Sequence, residues 1–257
     1  MEEKLKSVYK EAIEYLKSIK PADLPDERLE RYFQVSHIIK TKNEVLRQFF
    51  MSLQNYQSMP KIIKFGENES RFKRILCDYD EQKILQKYNS YEELLEVFDE
   101  EFGIGNARFS WEKYSKGALS ASEFMSQFED ANDFDHFVGL FSYNASTAAA
   151  LPMLLSREIH GIGFALGCDF LKELGYDQYP KPDVHLMDIF YELGLSKNDQ
   201  YDCYKAIIRM ARASNETPFK VDKVFWLISS GNYHKDGITT QRHKEDFIKY
   251  IKSKDII

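Results

Sequence analysis

Apolar residues recur at helical spacing along almost the whole chain, and clear period-two alternation is absent. A chain patterned this way buries its apolar surface by packing helix on helix, so the expected class is all-α. Leu5, Tyr9, Ile13, Leu16 and Ile19 form a stripe on a first helix that stops before Pro21. A second helical region spans about 27–57 with one break, and Pro60 and 66–70 mark a loop. No convincing sheet is read from the sequence, and the one place open to a short β-hairpin is near 60–76. Ser90 and Glu93 have the spacing of a capping box, opening a helix that ends near Gly103. Helices are expected over 120–128, 133–143 and 144–158. A tight turn follows, then a helix to Leu174 closed by Gly175. After a loop over 176–182, helices are expected at 184–193, 198–212, about 220–229 and 240–253. The 257 residues are expected to form a single helical unit of two lobes. Within it, 150–175 make two helices around a turn, and 176–190 make a loop and the helix after it.

Composition limits the partners. The formal net charge is −6, from 35 Lys and Arg against 41 Asp and Glu. A nucleic-acid ligand would require these charges to be strongly polarised, with a local basic face and salt-sensitive binding. Cys77, Cys168 and Cys203 are far apart, odd in number and form no CxxC pair. They therefore suggest neither a disulfide framework nor a zinc or iron–sulfur site. His136, His160 and His185 fit no ligand spacing, so no metal site is expected. The N-terminus lacks the cationic-then-apolar plan of a secretion signal, and no apolar run is long enough to span a membrane. A cytoplasmic monomer without membrane contact is the expectation.

The tight turn is His160-Gly161-Ile162-Gly163. Two helices joined by Gly-x-Gly leave backbone N–H groups uncovered at the start of the second, where the helix dipole favours an anion. Glycine permits positive φ and close approach of a phosphate. Ile162 between the glycines is expected to tuck under and pin the helices. Gly-x-Gly is common, however, and a plain helix–helix turn is a sufficient reading by itself. Asp183 follows Lys181-Pro182 and precedes Val184-His185. Proline holds the residue before it extended, and aspartate is a natural N-cap for the next helix. Capping alone would account for it.

Together, the stretch 160–171 followed by Lys181-Pro182-Asp183-Val184-His185 resembles the signature of the helix-hairpin-helix/Gly-Pro-Asp superfamily of base-excision DNA glycosylases. Asp183 lies 18 residues beyond Ala165, an interval that also fits the family. The resemblance is close over about 155–190. It implies an enzyme that bends duplex DNA, flips one modified nucleotide into a pocket and breaks its N-glycosidic bond. Asp183 would be the carboxylate that stabilises the cation-like sugar and positions water. His160, Gly161, Ile162, Gly163, Ala165, Lys181 and His185 would contact the DNA. The family also implies a monovalent cation held by hairpin carbonyls, and no other cofactor.

The chain departs from the family in two places. Members with lyase activity carry a nucleophilic lysine where this chain has Ala165, and alanine cannot form a Schiff base. A monofunctional enzyme is therefore implied, with Lys181 and Lys223 the conceivable substitutes. The C-terminal four-cysteine cluster of many relatives is absent, which points to the 8-oxoguanine and alkyl-purine branches. Asp222 and Trp226 lie four apart on one helix, flanked by Lys223 and Phe225, and could hydrogen-bond and stack on a flipped purine. The pairing is similar to one on a late helix of archaeal 8-oxoguanine glycosylases. A core tryptophan and a first-turn acid read equally well. The expected substrate is an oxidised purine, then an alkylated purine, then a hypermodified base of foreign DNA. A non-catalytic damage-recognition module built on the same hairpin is the alternative from another class.

Overall fold

The computed structural model describes residues 2–35, 39–254 and 256. In chain order the helices are α1 (Glu2–Ile19), α2 (Asp26–Glu30), α3 (Lys42–Leu53), α4 (Met59–Ile63) and α5 (Glu69–Ile75). Next come α6 (Glu81–Lys87), α7 (Tyr91–Phe102), α8 (Arg108–Ser126), α9 (Ala131–Leu140), α10 (Ala145–Glu158) and α11 (Phe164–Glu173). The last four are α12 (Val184–Glu192), α13 (Gln200–Ser214), α14 (Pro218–Ser230) and α15 (Lys244–Lys252). Two residue pairs, β1 (Asn232–Tyr233) and β2 (Ile238–Thr239), form a small antiparallel ladder after α14. The fold is all-α, as expected. Among the described residues no helix is long and apolar enough to cross a membrane.

The chain divides into two compact units. The first joins Met1–Ser36 to Gly175–Ile257. Its core is built from Val8, Ala12 and Leu16 of α1, Leu186, Ile189 and Phe190 of α12, and Ile207 and Met210 of α13. Val224, Phe225 and Ile228 of α14 and Phe247 and Ile251 of α15 complete it. The spacing of each set places its members on one helical face, which is why these five helices close around a shared interior.

The second unit is His37–Leu174. Its interior is aromatic: Phe72 stacks on Phe102 and Trp111, and Phe49 stacks on Phe170 at 3.5 Å. Helices α10 and α11 approach closely because Gly167 has no side chain. A Cβ there would lie 3.0 Å from the Pro152 Cβ and 3.2 Å from its carbonyl oxygen. One buried ion pair sits on α11. Lys172 and Asp169, both 5% exposed, are joined at 3.2 Å, and the Asn55 side-chain amide donates to Asp169.

Several local expectations need correction. The segment 60–76 is helical, not a β-hairpin: α4 ends at Lys64, whose φ of 50° breaks it, and α5 buries Phe72 and Ile75 at helical spacing. The Ser90 side chain makes no cap bond, because Glu93 instead accepts the Asn89 backbone N–H at 2.8 Å. The helix still starts there and ends at Gly103, whose φ is 62°. A full capping box forms at Thr41 and Glu44, and another at Asn144 and Thr147. The helix expected from 120 begins at Arg108.

Candidate functional site

The turn after α10 is held from two sides. The Ile162 backbone N–H donates to Ile159 O at 3.2 Å, and the His160 N–H donates to Ser120 Oγ of α8 at 2.9 Å. Ile162 is 3% exposed and packs beneath the turn. Gly161 has a φ of 85°, a conformation that L side chains rarely adopt, so a glycine is required there. Gly163 has an ordinary φ of −95°, and its role differs: it is the N-cap of α11 and contributes no side chain. A Cβ on it would meet nothing within 4 Å. The first-turn N–H groups of α11 have no acceptor within their own helix, and no side chain at Gly163 stands in front of them. This is a suitable seat for a phosphate oxygen.

Helix α8 runs beside the turn at a distance set by Gly117. A Cβ there would lie 2.7 Å from His160 O. Phe109, Glu112, Lys113 and Lys116 of α8 line a groove with His160 and Gly161. Burial and the two lysine charges push the His160 imidazole below the ordinary histidine range. Among the described residues no group of three or more His, Cys, Asp or Glu could hold a metal ion. A cation at the turn would therefore rest on main-chain carbonyls.

Asp183 belongs to the other unit. The loop that carries it is pinned at three points. Asp177 O accepts from Phe219 N at 3.0 Å, Gln178 O from the Tyr204 hydroxyl at 3.3 Å, and Asp222 Oδ2 from Lys181 N at 2.6 Å. The Lys181 carbonyl in turn accepts the Asp183 N–H at 2.9 Å. Asp183 Oδ1 then caps α12, accepting from His185 N at 2.9 Å and Leu186 N at 3.3 Å. Its Oδ2 has no hydrogen-bond partner among the described residues. The carboxylate is rigidly held through one oxygen and available through the other. His185 is fixed as well, with its Nδ1 2.9 Å from Ser229 Oγ, which leaves Nε2 for an outside partner.

Burial first, and the Asp222 carboxylate second, hold the Asp183 carboxyl above the ordinary aspartate range. The fully buried Cys203 thiol is raised by burial and by the same two carboxylates. Asp222 is only 1% exposed, so its side chain faces the interior, whereas Trp226 is half-buried and meets His234 edge-on at 5.8 Å. Lys223 Nζ lies 5.3 Å from the centre of the Trp226 ring. Ala165 is half-buried on α11 in the second unit. Lys181, Asp183, His185, Asp222 and Trp226 thus gather in one unit, and His160, Gly161, Ile162, Gly163 and Ala165 in the other. Ser229 and the α8 groove carry no local sequence signal, because both depend on contacts across 40 residues or more.

If the reaction needs ionised Asp183, its rate falls as pH drops through a value above the usual carboxylate range. Asp222→Asn removes the second cause of that elevation. The acid limb of the kcat/KM–pH profile is then expected to move to lower pH. An unmoved limb would show that Asp222 does not tune Asp183.

No family model matches the chain, and neither does any curated protein. Two solved structures do match. One is the 8-oxoguanine glycosylase/lyase of Methanocaldococcus jannaschii in complex with 15mer DNA containing 8-oxoguanine. It is 20% identical with a TM-score of 0.51, covering 90% of this chain and 98% of that one. The other is the 8-oxoguanine DNA glycosylase of the same organism, 19% identical with a TM-score of 0.51, covering 92% of this chain and 95% of that one. Over about nine-tenths of its length, this chain has the fold of an archaeal 8-oxoguanine DNA glycosylase.

Proposed function

We propose that the protein is a DNA glycosylase that extrudes a modified base from duplex DNA and hydrolyses its N-glycosidic bond, with Asp183 as the catalytic carboxylate. The observation that carries this reading is the state of Asp183: held by two cap bonds through Oδ1, unpartnered at Oδ2, and set in a loop pinned at three points. As the glycosidic bond breaks, the base departs with the bonding electron pair and takes up a proton. The sugar is left cation-like, and Oδ2 stabilises that charge. Water then adds to C1′ and gives its proton to Asp183 or to solvent. The turn at 160–163, with Lys181 and His185, grips backbone phosphates. Trp226 stacks on the extruded purine, while Asp222 secures the Asp183 loop from the interior.

The fold favours an oxidised purine such as 8-oxoguanine as substrate, with an alkylated purine next. The archaeal protein of this fold is a glycosylase/lyase. The lyase step needs an amine on the sugar, and Ala165 supplies none, so hydrolysis is the proposed outcome. Sodium borohydride added during turnover is expected to trap no covalent enzyme–DNA adduct. A trapped adduct would overturn this reading and direct attention to Lys181 and Lys223. Ala165 also favours a second reading, a damage-recognition module that binds without cleaving. That reading predicts salt-sensitive DNA binding with no base released from any lesion.

A further inference from the structure

The α8 groove carries chemistry that the hairpin alone does not account for. Phe109 is 78% exposed, a large apolar side chain left in water at the start of α8. Lys113 and Lys116 follow at four and seven residues, so all three lie on one helical face, and that face borders His160 and Gly161. Both ammonium groups are held in place. Lys113 Nζ sits 3.2 Å above the centre of the Tyr56 ring. Lys116 Nζ sits 4.3 Å above Tyr91 and 2.6 Å from Glu112. With Glu112 counted, the two lysines leave the groove one net positive charge in a chain of net charge −6. Burial first, and then the charges of Lys116 and Lys113, lower the proton affinity of His160. By contrast, α7 carries Glu92, Glu93, Glu96, Asp99, Glu100 and Glu101 without one lysine or arginine. Ordered cations beside an exposed aromatic ring match a nucleic-acid strand, with phosphates for the cations and a base face for the ring.

We propose that this face of α8 is a second DNA-contacting strip continuous with the hairpin: Lys113, Lys116 and His160 hold one backbone phosphate, and Phe109 stacks on a base left unpaired where the duplex is opened. The inference rests on the proposed DNA-glycosylase function and adds to it the site that engages disrupted pairing. Apolar insertion or stacking by Phe109 tolerates any base identity, because every base has a π-face. It therefore reads local opening of the duplex, not sequence.

The test is fluorescence anisotropy with two labelled duplexes, one fully paired and one carrying a tetrahydrofuran abasic analogue. Phe109→Ala is expected to weaken binding to the abasic-site duplex about tenfold and to the paired duplex less than about twofold. The double variant Lys113→Gln, Lys116→Gln is expected to weaken both equally. It should also make the slope of log affinity against log salt shallower by about 1. Far-UV circular dichroism checks folding. An unchanged preference in the Phe109 variant, or an unchanged slope in the lysine variant, overturns the proposal. Base release does not enter these readouts, so a wild-type protein that binds as described but frees no base refutes catalysis and leaves the strip standing. A wild-type protein with no affinity for either duplex refutes both.

Discussion

Asp183→Asn is expected to slow base release by about a hundred- to a thousandfold, the usual cost of removing one group that stabilises charge in a transition state. DNA affinity should stay at its wild-type value. The substitution separates the two roles of this residue. Asparagine caps a helix about as well as aspartate, so the bonds from His185 and Leu186 to the side chain survive. Only the negative charge is lost.

The same variant should be no less stable than the wild type at neutral pH, and the sign follows from linkage. The carboxyl of Asp183 is raised in the folded state by burial and by Asp222. The folded protein therefore binds a proton more tightly than the unfolded chain. Stability is lost as pH rises from the ordinary aspartate range through the raised value, and it stays lost above that. Asparagine never ionises and escapes this penalty. A lower midpoint of thermal unfolding in Asp183→Asn would contradict the argument. A catalytic charge that costs stability is a common feature of active sites.

The second large effect lies in the other unit. Lys172→Ala is expected to destabilise the fold by about 3–5 kcal/mol, because it removes the ammonium group that is ion-paired with a buried carboxyl group. The side chains of Lys172 and Asp169 are 4% and 7% exposed, so solvent cannot take over the role of the missing partner. A urea titration would report the change as a lower midpoint at constant slope. The double variant Asp169→Leu, Lys172→Met removes both charges and should recover most of the loss. A single-variant effect below about 1 kcal/mol would match a solvated pair and contradict the burial.

Much of this was legible in the sequence, for a physical reason. Helical period, helix stops and the spacing of Gly161, Gly163 and Asp183 are local signals, and each is written within a few residues of where it acts. The Ala-rich helix after Asn144 and the helix closed by Gly175 fall where capping chemistry puts them. Ser90 shows the limit of that logic. The residue types of a capping box were present, but Glu93 found the Asn89 N–H instead. The span 60–76 failed differently, since short apolar runs do not distinguish strand from helix and neighbours decide.

What could not be read is the support around the site. Helical spacing places Asp222 on the face of Trp226, but does not reveal the bond by which its buried carboxylate accepts the Lys181 N–H across 41 positions. Ser229 reaches His185 across 44. Gly117 looks like a weak point in a helix, yet a Cβ there would lie 2.7 Å from the His160 carbonyl oxygen. These pairings are set by tertiary packing, and no local pattern encodes them.

Hydrolysis of an N-glycosidic bond in DNA is the reaction proposed for this chain. Its most direct test is to incubate the protein with duplexes that each carry one modified base, 8-oxoguanine and alkylated purines first. Free base is then assayed, together with strand breaks before and after alkali. Release of at least one modified purine is expected, with strands that break only after alkali treatment. No release from any lesion, with salt-sensitive binding intact, would contradict it and leave a protein that recognises damage without removing it.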